Sequence, residues 1–552
     1  MFGPFDFPPE IFVLICNHLE QPDLKACSEV CKSWNNLTKP LLWRDLVESR
    51  PMLQNEEYLK PLIENGHRIR HLQYHGTKLA QVLARPEVNC TKLKSLFYTL
   101  PCSYSDSNFL KPEQEVDLDA FLVLLGRNPS IRYLKISLRN KNLTEAISIR
   151  LLIQLKRHSQ LRYLSITGLC SLVGHFFYGA LRLLPKALTE LEIEAMSYYS
   201  SPNAAPGTAD DTLLPKSFPN LYKVQLGGTF FSSRENLIFK LLKRCPNLQE
   251  LSVPHIKLSA HGDLVDFLPV WHPKLKGLVI NDHGAPSAIQ ALMKPGQLQL
   301  RKLHLQDPPE SIQNMLSSWA DTLQDLEFGA STCLSSQDIQ SIIMTCASLR
   351  RLVFKTESTL YFRCPESGLF LSDMADMKWA CESSLRELAL TVIDDRTIKE
   401  PESQTPLLVW YQQLARLKNI RALHLGWVPR PAGRSKDYPV HPMRPYLTIE
   451  SGLDLWKDLK DLQILNIRDI DKVLMGQAEM EWIVKHWPNL TALLGLGLYK
   501  YKNDAQLWGE DDPVWDKVFK RPYLDHNGFW NKKDDFSFIT WMRTQKPRLV
   551  LD

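Results

Sequence analysis

One pattern recurs across residues 67–499 and limits the chain to a stacked architecture: apolar-x-x-apolar-x-apolar. It runs as Ile69-Leu72-Tyr74, Leu93-Leu96-Tyr98, Ile131-Leu134-Ile136, Leu161-Leu164-Ile166, Leu188-Leu191-Ile193, Leu221-Val224-Leu226 and Leu248-Leu251-Val253. It continues as Leu275-Leu278-Ile280, Leu300-Leu303-Leu305, Leu323-Leu326-Phe328, Leu349-Leu352-Phe354, Leu385-Leu388-Leu390, Ile420-Leu423-Leu425, Leu462-Leu465-Ile467 and, less regularly, Leu490-Leu493. These make about fifteen units, spaced by roughly 23 to 42 residues. The last two apolar positions lie two residues apart, so they leave the same side of a short strand. Intervening segments such as ENLIFKLLKR (235–244) and SQDIQSIIMTC (336–346) carry apolar groups at helical spacing. No strand-plus-helix unit can bury its apolar face alone, so neighbours must stack. The expected fold is an α/β solenoid whose parallel sheet lines a concave side. Strands about 4.8 Å apart would span on the order of 70 Å, enough to receive a folded protein.

Cys90, Cys245 and Cys346 each stand three residues before the first apolar position, in CTKL, CPNL and CASL. This resembles the cysteine-containing subtype of leucine-rich repeat, which forms a horseshoe. The Asn or Cys that usually follows the strand is mostly absent, so the repeats are degenerate.

Ahead of the repeats, residues 7–46 read FPPEIFVLICNHLEQPDLKACSEVCKSWNNLTKPLLWRDL. Pro8-Pro9-Glu10 opens a helix with proline in its first turn and an acid near the positive end of the dipole. Ile11, Leu14, Ile15 and Leu19 share one face of that helix. Pro22-Asp23 then breaks it and caps a second, with Leu24, Cys27, Cys31 and Trp34 at steps of three and four. Pro40 starts a third, with Leu41, Leu42, Trp43 and Leu46. About forty residues cannot bury this many large apolar groups among themselves, so another surface must cover some of them.

This segment resembles an F-box, whose pattern Leu-Pro-x-Glu-Ile, Asp-Leu, Val-Cys-Lys-x-Trp and Leu-Trp appears here as Phe7-Pro8-Pro9-Glu10-Ile11, Asp23-Leu24, Val30-Cys31-Lys32-Ser33-Trp34 and Leu42-Trp43. Phe7 replaces the usual leucine. The resemblance implies docking onto the Skp adaptor and, through it, onto cullin and RING subunits. It puts the contacts at Phe7, Pro8, Ile11, Leu14, Leu19, Val30 and Trp34, some of which would instead hold the segment together. The expected organisation is an all-α F-box at 4–48, a linker helix at 49–66, the repeats at 67–499 and a cap at 500–552.

A net charge of +5 over 552 residues argues for neither nucleic acid nor an acidic partner. No run approaches eighteen apolar residues, so no membrane span is expected, and no secretory signal opens the chain. Eleven scattered cysteines fit reduced thiols in cytoplasm or nucleus. No P-loop, dinucleotide turn, HExxH or GxSxG motif is present. The expectation is therefore a non-catalytic chain without cofactor.

Binding residues are expected on the strand positions between the buried ones. Glu190, Glu192 and Glu194 form an acidic stripe, Asp325 and Glu327 another, and Arg351 with Lys355 a basic strand. Tyr133 and Tyr163 occupy matching positions of consecutive repeats. His71, His75, His304 and His424 fall on the same surface, and His71-x3-His75 lacks a third metal ligand. These positions either bind a partner or form a solvated strand face. Residues 200–217 and 357–384 interrupt the period, as does 427–447, where Arg430 and Arg434 stand in a Pro-rich loop. That loop either folds over the groove to grip an acidic or phosphorylated segment or is a solvated excursion.

The expected function is substrate recognition in an SCF-type ubiquitin ligase, holding an unknown protein target without chemistry of its own. A small-molecule-gated receptor and an adaptor-bound scaffold with no ubiquitination role are the alternatives.

Overall fold

The computed structural model describes residues 8–48, 59–75, 78–100, 110, 112–141, 145–169, 181–195, 217–227, 235–253, 262–280, 298–306, 311–329, 334–354, 368–374, 377–394, 405–429, 447–469, 475, 477–495, 541–542, 544–546 and 549–551. Two compact units divide the chain: Met1–Lys257 with Asp266–Leu275, and Leu258–Val265 with Lys276–Asp552.

The first unit opens with three helices, α1 (Pro9–Cys16), α2 (Gln21–Val30) and α3 (Lys32–Leu42). Phe12, Cys16 and Leu24 form their core, with Leu19, Trp34, Leu37, Leu41 and Leu42 packed against it. The Phe12 and Trp34 rings meet at 4.6 Å between centroids. The helix boundaries differ from the sequence expectation. Cys31 is extended and its Sγ accepts the Trp34 backbone N–H, so Cys31 ends α2 and caps α3. Trp34 therefore lies on α3, and Pro40 sits inside that helix rather than at its start.

Leu46 also departs from the helical expectation. It lies in β1 (Asp45–Val47), which pairs in parallel with β2 (His71–Tyr74), so the helical segment supplies the first strand of the sheet. The junction is tied: Gln21 donates to the carbonyls of Leu42 and Asp45, and Arg44 reaches Asn17 Oδ1 at 2.6 Å.

From β2 the expected pattern appears. α4 (Leu59–Asn65) precedes β2. α5 (Lys78–Leu83), β3 (Ser95–Thr99), α6 (Pro112–Gly126), β4 (Tyr133–Lys141), α7 (Glu145–Arg157), β5 (Tyr163–Leu169), β6 (Glu190–Ala195), β7 (Lys223–Gly227), α8 (Glu235–Leu242) and β8 (Glu250–Ser252) follow. Each strand from β1 to β7 pairs in parallel with its successor. α9 (Gly262–Trp271) packs Phe267 against Phe239 of α8.

The second unit repeats the scheme. β9 (Gly277–Ile280), β10 (Lys302–Leu305), α10 (Ile312–Trp319), β11 (Asp325–Phe328), α11 (Ser336–Thr345), β12 (Arg351–Phe354), β13 (Leu369–Phe370), β14 (Glu387–Asp394), α12 (Thr405–Ala415), β15 (Ala422–Pro429), β16 (Ile464–Asp469), α13 (Gln477–His486), β17 (Ala492–Leu494) and β18 (Val550–Leu551) follow in order. The long repeat over 357–384 contains β13, which pairs with Val392 and Ile393 of β14, while β12 pairs with Glu387, Leu388 and Ala389 of the same strand. At the chain's end β18 extends the ladder from β17. Trp508, Trp515 and Trp530 of the expected cap, and the segments 200–216 and 430–446, lie outside the described residues.

Burial follows the repeat. Leucines such as Leu72, Leu96, Leu134, Leu326 and Leu465 sit in register on neighbouring strands and are almost fully buried. Cys90, Cys245 and Cys346 are buried, and loss of solvent pushes each thiol up to about 12, so none is a nucleophile at neutral pH. Side chains at the same turn tie repeats together. Asn128 accepts the Leu93 N–H and donates to the Cys90 and Leu124 carbonyls, all at 2.8 Å. In the last repeats tryptophan takes that role: Trp456 Nε1 donates to Tyr411 O and Trp487 Nε1 to Trp456 O, each at 3.0 Å.

Trp456 is fully buried against Trp410, Tyr411 and Trp487. Trp456→Ala should therefore destabilise the second unit by about 3–5 kcal/mol. Urea denaturation reads the loss, and hydrogen exchange should show the fastest opening between α12 and α13.

Candidate functional site

Two surfaces collect the candidate residues, and the first is α1. Its apolar residues divide between two sides: Phe12 and Cys16 enter the core, while Ile11 (42% exposed) and Leu14 (58%) face solvent, with Ile15 beside them. Pro8 is exposed just before the helix, and Val30 is exposed at the end of α2. Leu19 and Trp34, also expected among the contacts, are half-buried and pack on the segment's own core. Phe7 lies outside the described residues. The segment thus leaves an apolar helix face in water, where burial would gain roughly 25 cal/mol per Å².

The second surface is the sheet face between the buried positions. In the first unit the ladder aligns Asp45, His71, Ser95, Tyr133, Tyr163, Glu190, Lys223 and Glu250 in one row. Tyr133 and Tyr163 are neighbours, as their repeat positions predict. The acidic stripe is not bare. Tyr163 Oη donates to Glu192 at 2.8 Å and Tyr222 Oη to Glu190 at 2.7 Å. Lys223 Nζ lies 3.8 Å from both Glu190 and Glu250. Burial, helped by its bond to Glu192, pushes Tyr163 up to about 12 and keeps it a neutral donor. Glu194 is half-buried on the same strand. His71 and His75 fall on and just after a strand, with His71 Nδ1 2.6 Å from Ser95 Oγ.

In the second unit the charges predicted as separate stripes form one network. Arg351 Nη1 lies 2.7 Å from Glu327 and 3.0 Å from Asp325, and its Nε lies 3.1 Å from Glu387. His304 Nε2 lies 3.0 Å from Asp325. Arg351 therefore does not make its strand basic, because carboxylates from both neighbouring strands surround it. Lys355, Arg430 and Arg434 lie outside the described residues. Burial alone would raise the Asp325 carboxyl, but the hydrogen bonds and charges of His304 and Arg351 outweigh it and hold it below the ordinary value.

Sequence reasoning missed a further row. Directly after the first apolar residue of the repeat stand Arg70, Lys94, Arg132 and Arg162 in the first unit, and Lys276, Arg301, Arg350, Arg386 and Arg421 in the second. Aligning the repeats by register exposes this column, whereas scanning along the chain hides it behind its neighbours.

Among the described residues no group of three or more His, Cys, Asp or Glu is arranged to hold a metal ion, and no helix is long and apolar enough to cross a membrane.

Residues 5–49 match the F-box-like family model. The chain thus carries an N-terminal F-box-like segment followed by a leucine-rich-repeat-like solenoid of parallel strands and helices. Among solved structures, a chain in the crystal structure of the Rad7 and Elc1 complex in yeast is similar at 13% identity, with 90% of each chain covered and a TM-score of 0.38. A chain of the TLR13–ssRNA13 complex is 13% identical over 81% of this chain and 67% of that one, with a TM-score of 0.25. The leucine-rich repeat-containing protein LegL7 from Legionella pneumophila is 11% identical over 70% and 97%, with a TM-score of 0.29. No curated protein sequence matches the chain.

Removing Arg351 strands three carboxylates on one partly buried face. Arg351→Ala should cost about 2 kcal/mol at neutral pH, less than for a fully buried pair because these groups keep some solvent. An aspartate with a depressed folded pKa stabilises above its unfolded value, about 3.9, and loses that contribution as pH falls through the folded value. The wild-type advantage should therefore hold through neutral pH and shrink below about pH 4. Denaturation of both proteins across pH checks it.

Proposed function

We propose that the chain is the target-recognition subunit of a ubiquitin ligase of the Skp–cullin type. The observation that carries this reading is the apolar face of Ile11, Leu14 and Ile15, left in solvent within a segment that matches the F-box-like family model. A helix of this kind is built to enter a partner's apolar groove. The adaptor fills that role, and cullin and RING subunits follow through it. The long sheet faces then hold a protein target. Their polar, hydrogen-bonded side chains suit orientation and selectivity more than raw affinity. Catalysis comes from proximity: a bound target's lysine meets ubiquitin at raised effective concentration, and this chain makes or breaks no bond. The compartment is the cytoplasm or nucleus, where such ligases work.

The anchors are Ile11 and Leu14, with Pro8 and Val30 beside them, whereas Leu19 and Trp34 support the fold. An Ile11→Asp/Leu14→Asp variant should keep wild-type thermal stability, since both side chains already face water. Losing two interface anchors, each about 2 kcal/mol or more, should cut adaptor and cullin recovery at least tenfold in affinity purification. Phe12→Ala should instead unfold the segment. If the wild-type chain brings down no adaptor, the reading is wrong.

A further inference from the structure

The turns before β12, β14 and β15 enclose a cleft of about 290 Å³ lined by Arg350, Arg386 and Arg421. Ser383, Ser384 and Asn419 line it as well, and Asp461 lies at the same cleft. All three arginines are exposed, and they are locked in register. The backbone N–H groups of Arg386 and Glu387 both donate to Arg350 O, at 2.7 and 3.0 Å. Those of Arg421 and Ala422 donate to Arg386 O at the same distances. Successive arginines therefore stand about one strand spacing, ~4.8 Å, apart.

Their surroundings contrast with those of the next residue along each strand. Arg351 is shared among Asp325, Glu327 and Glu387, so the carboxylates of this region are drawn to the sheet face. Among the described residues, none of Arg350, Arg386 and Arg421 has an ion pair or a side-chain hydrogen bond, and Asp461 pairs with none of them. Three like charges in a row repel one another unless an anion enters between them. The walls are set beforehand. Ser384 Oγ donates to the Ala347 and Leu349 carbonyls at 2.8 and 2.7 Å, and Asn419 Nδ2 donates to Ser383 O at 2.7 Å. These bonds fix the turns from which the arginines project.

Its chemistry selects one. Planar guanidinium groups suit the several oxygens of a phosphoryl group, which they hold by paired, charge-assisted hydrogen bonds. The volume lies at the lower end for ligand pockets, which fits one phosphoryl group and part of its carrier. A long polyanion is disfavoured, because Asp461 at the cleft would meet its next charge. No aromatic side chain lines the cleft to stack a base. We infer that Arg350, Arg386 and Arg421 form a receptor for a phosphorylated side chain on a protein segment. This rests on the target-recognition reading and sharpens it: the target is recognised in its phosphorylated state.

The test uses the full-length chain in complex with adaptor and two bead-bound degenerate peptide libraries, one centred on phosphoserine and one on serine. The phosphoserine library should retain the chain, the serine library should not, and millimolar inorganic phosphate should compete. Arg386→Ala should weaken retention at least tenfold, and the triple Arg350→Ala/Arg386→Ala/Arg421→Ala variant should abolish it, with thermal stability unchanged. Arg182→Ala, an exposed charge elsewhere, should retain wild-type binding. Equal retention on both libraries, or an unaltered triple variant, overturns the assignment. A single-stranded oligonucleotide or free pyrophosphate that binds through the same arginines while the phosphoserine library does not also overturns it. Adaptor recovery is scored on the same samples. Loss of adaptor with phosphopeptide retention intact sinks the ligase reading alone, and the converse sinks the phosphate site alone.

Discussion

The structure depends on a backbone contact that recurs along the strands of each unit. The carbonyl just before a strand accepts two N–H groups from the next repeat, as Arg44 O does from Arg70 and His71, and Arg421 O from Gln463 and Ile464. That double acceptance fixes the rotation of each strand about its neighbour, and so decides which side chains enter the core and which stay outside. The leucines gain burial only because the ladder keeps them in register, and the ladder persists only because the leucines exclude water from it. A shift of one residue would turn the apolar set outward.

That register also explains how charge is arranged. Rows of side chains run across the strands, so each residue's electrostatic partners lie a full repeat away. Arg351 meets Asp325 and Glu327 from the preceding strand and Glu387 from the following one. Tyr163 meets Glu192, and Lys223 bridges Glu190 and Glu250, by the same geometry. The sheet face is therefore largely matched internally, while the arginine column one residue earlier stays unmatched at β12, β14 and β15.

The repeats were legible because a period-two pair of leucines inside a longer period has few other solutions. The strand positions of Leu72, Leu326 and Leu465 follow directly from it. Charge partners were not legible, since grouping Glu190 with Glu192 follows the strand while the ladder pairs Glu190 with Lys223. In the N-terminal segment, steps of three and four from Leu24 to Trp34 imitate one helix. The extended backbone at Cys31, whose sulfur caps the next helix, breaks it in two. Leu46 misled for a related reason: its apolar spacing suits a helix end, yet the edge of β2 offered it a ladder partner in sequence reach. The exposed side of α1 was half legible, for the excess of apolar groups was countable but their division between Phe12 and Ile11 was not.

Because β1 is both the end of the helical segment and the first rung of the sheet, the connection between them is not a tether. Three parallel-ladder positions, the Gln21 bonds and the Arg44–Asn17 contact join the two at several points. A body docked on α1 thus acquires a set bearing toward the first unit's sheet, as a tool gripped in a vice does. A proline at Leu46, in the middle of β1, should let that bearing swing.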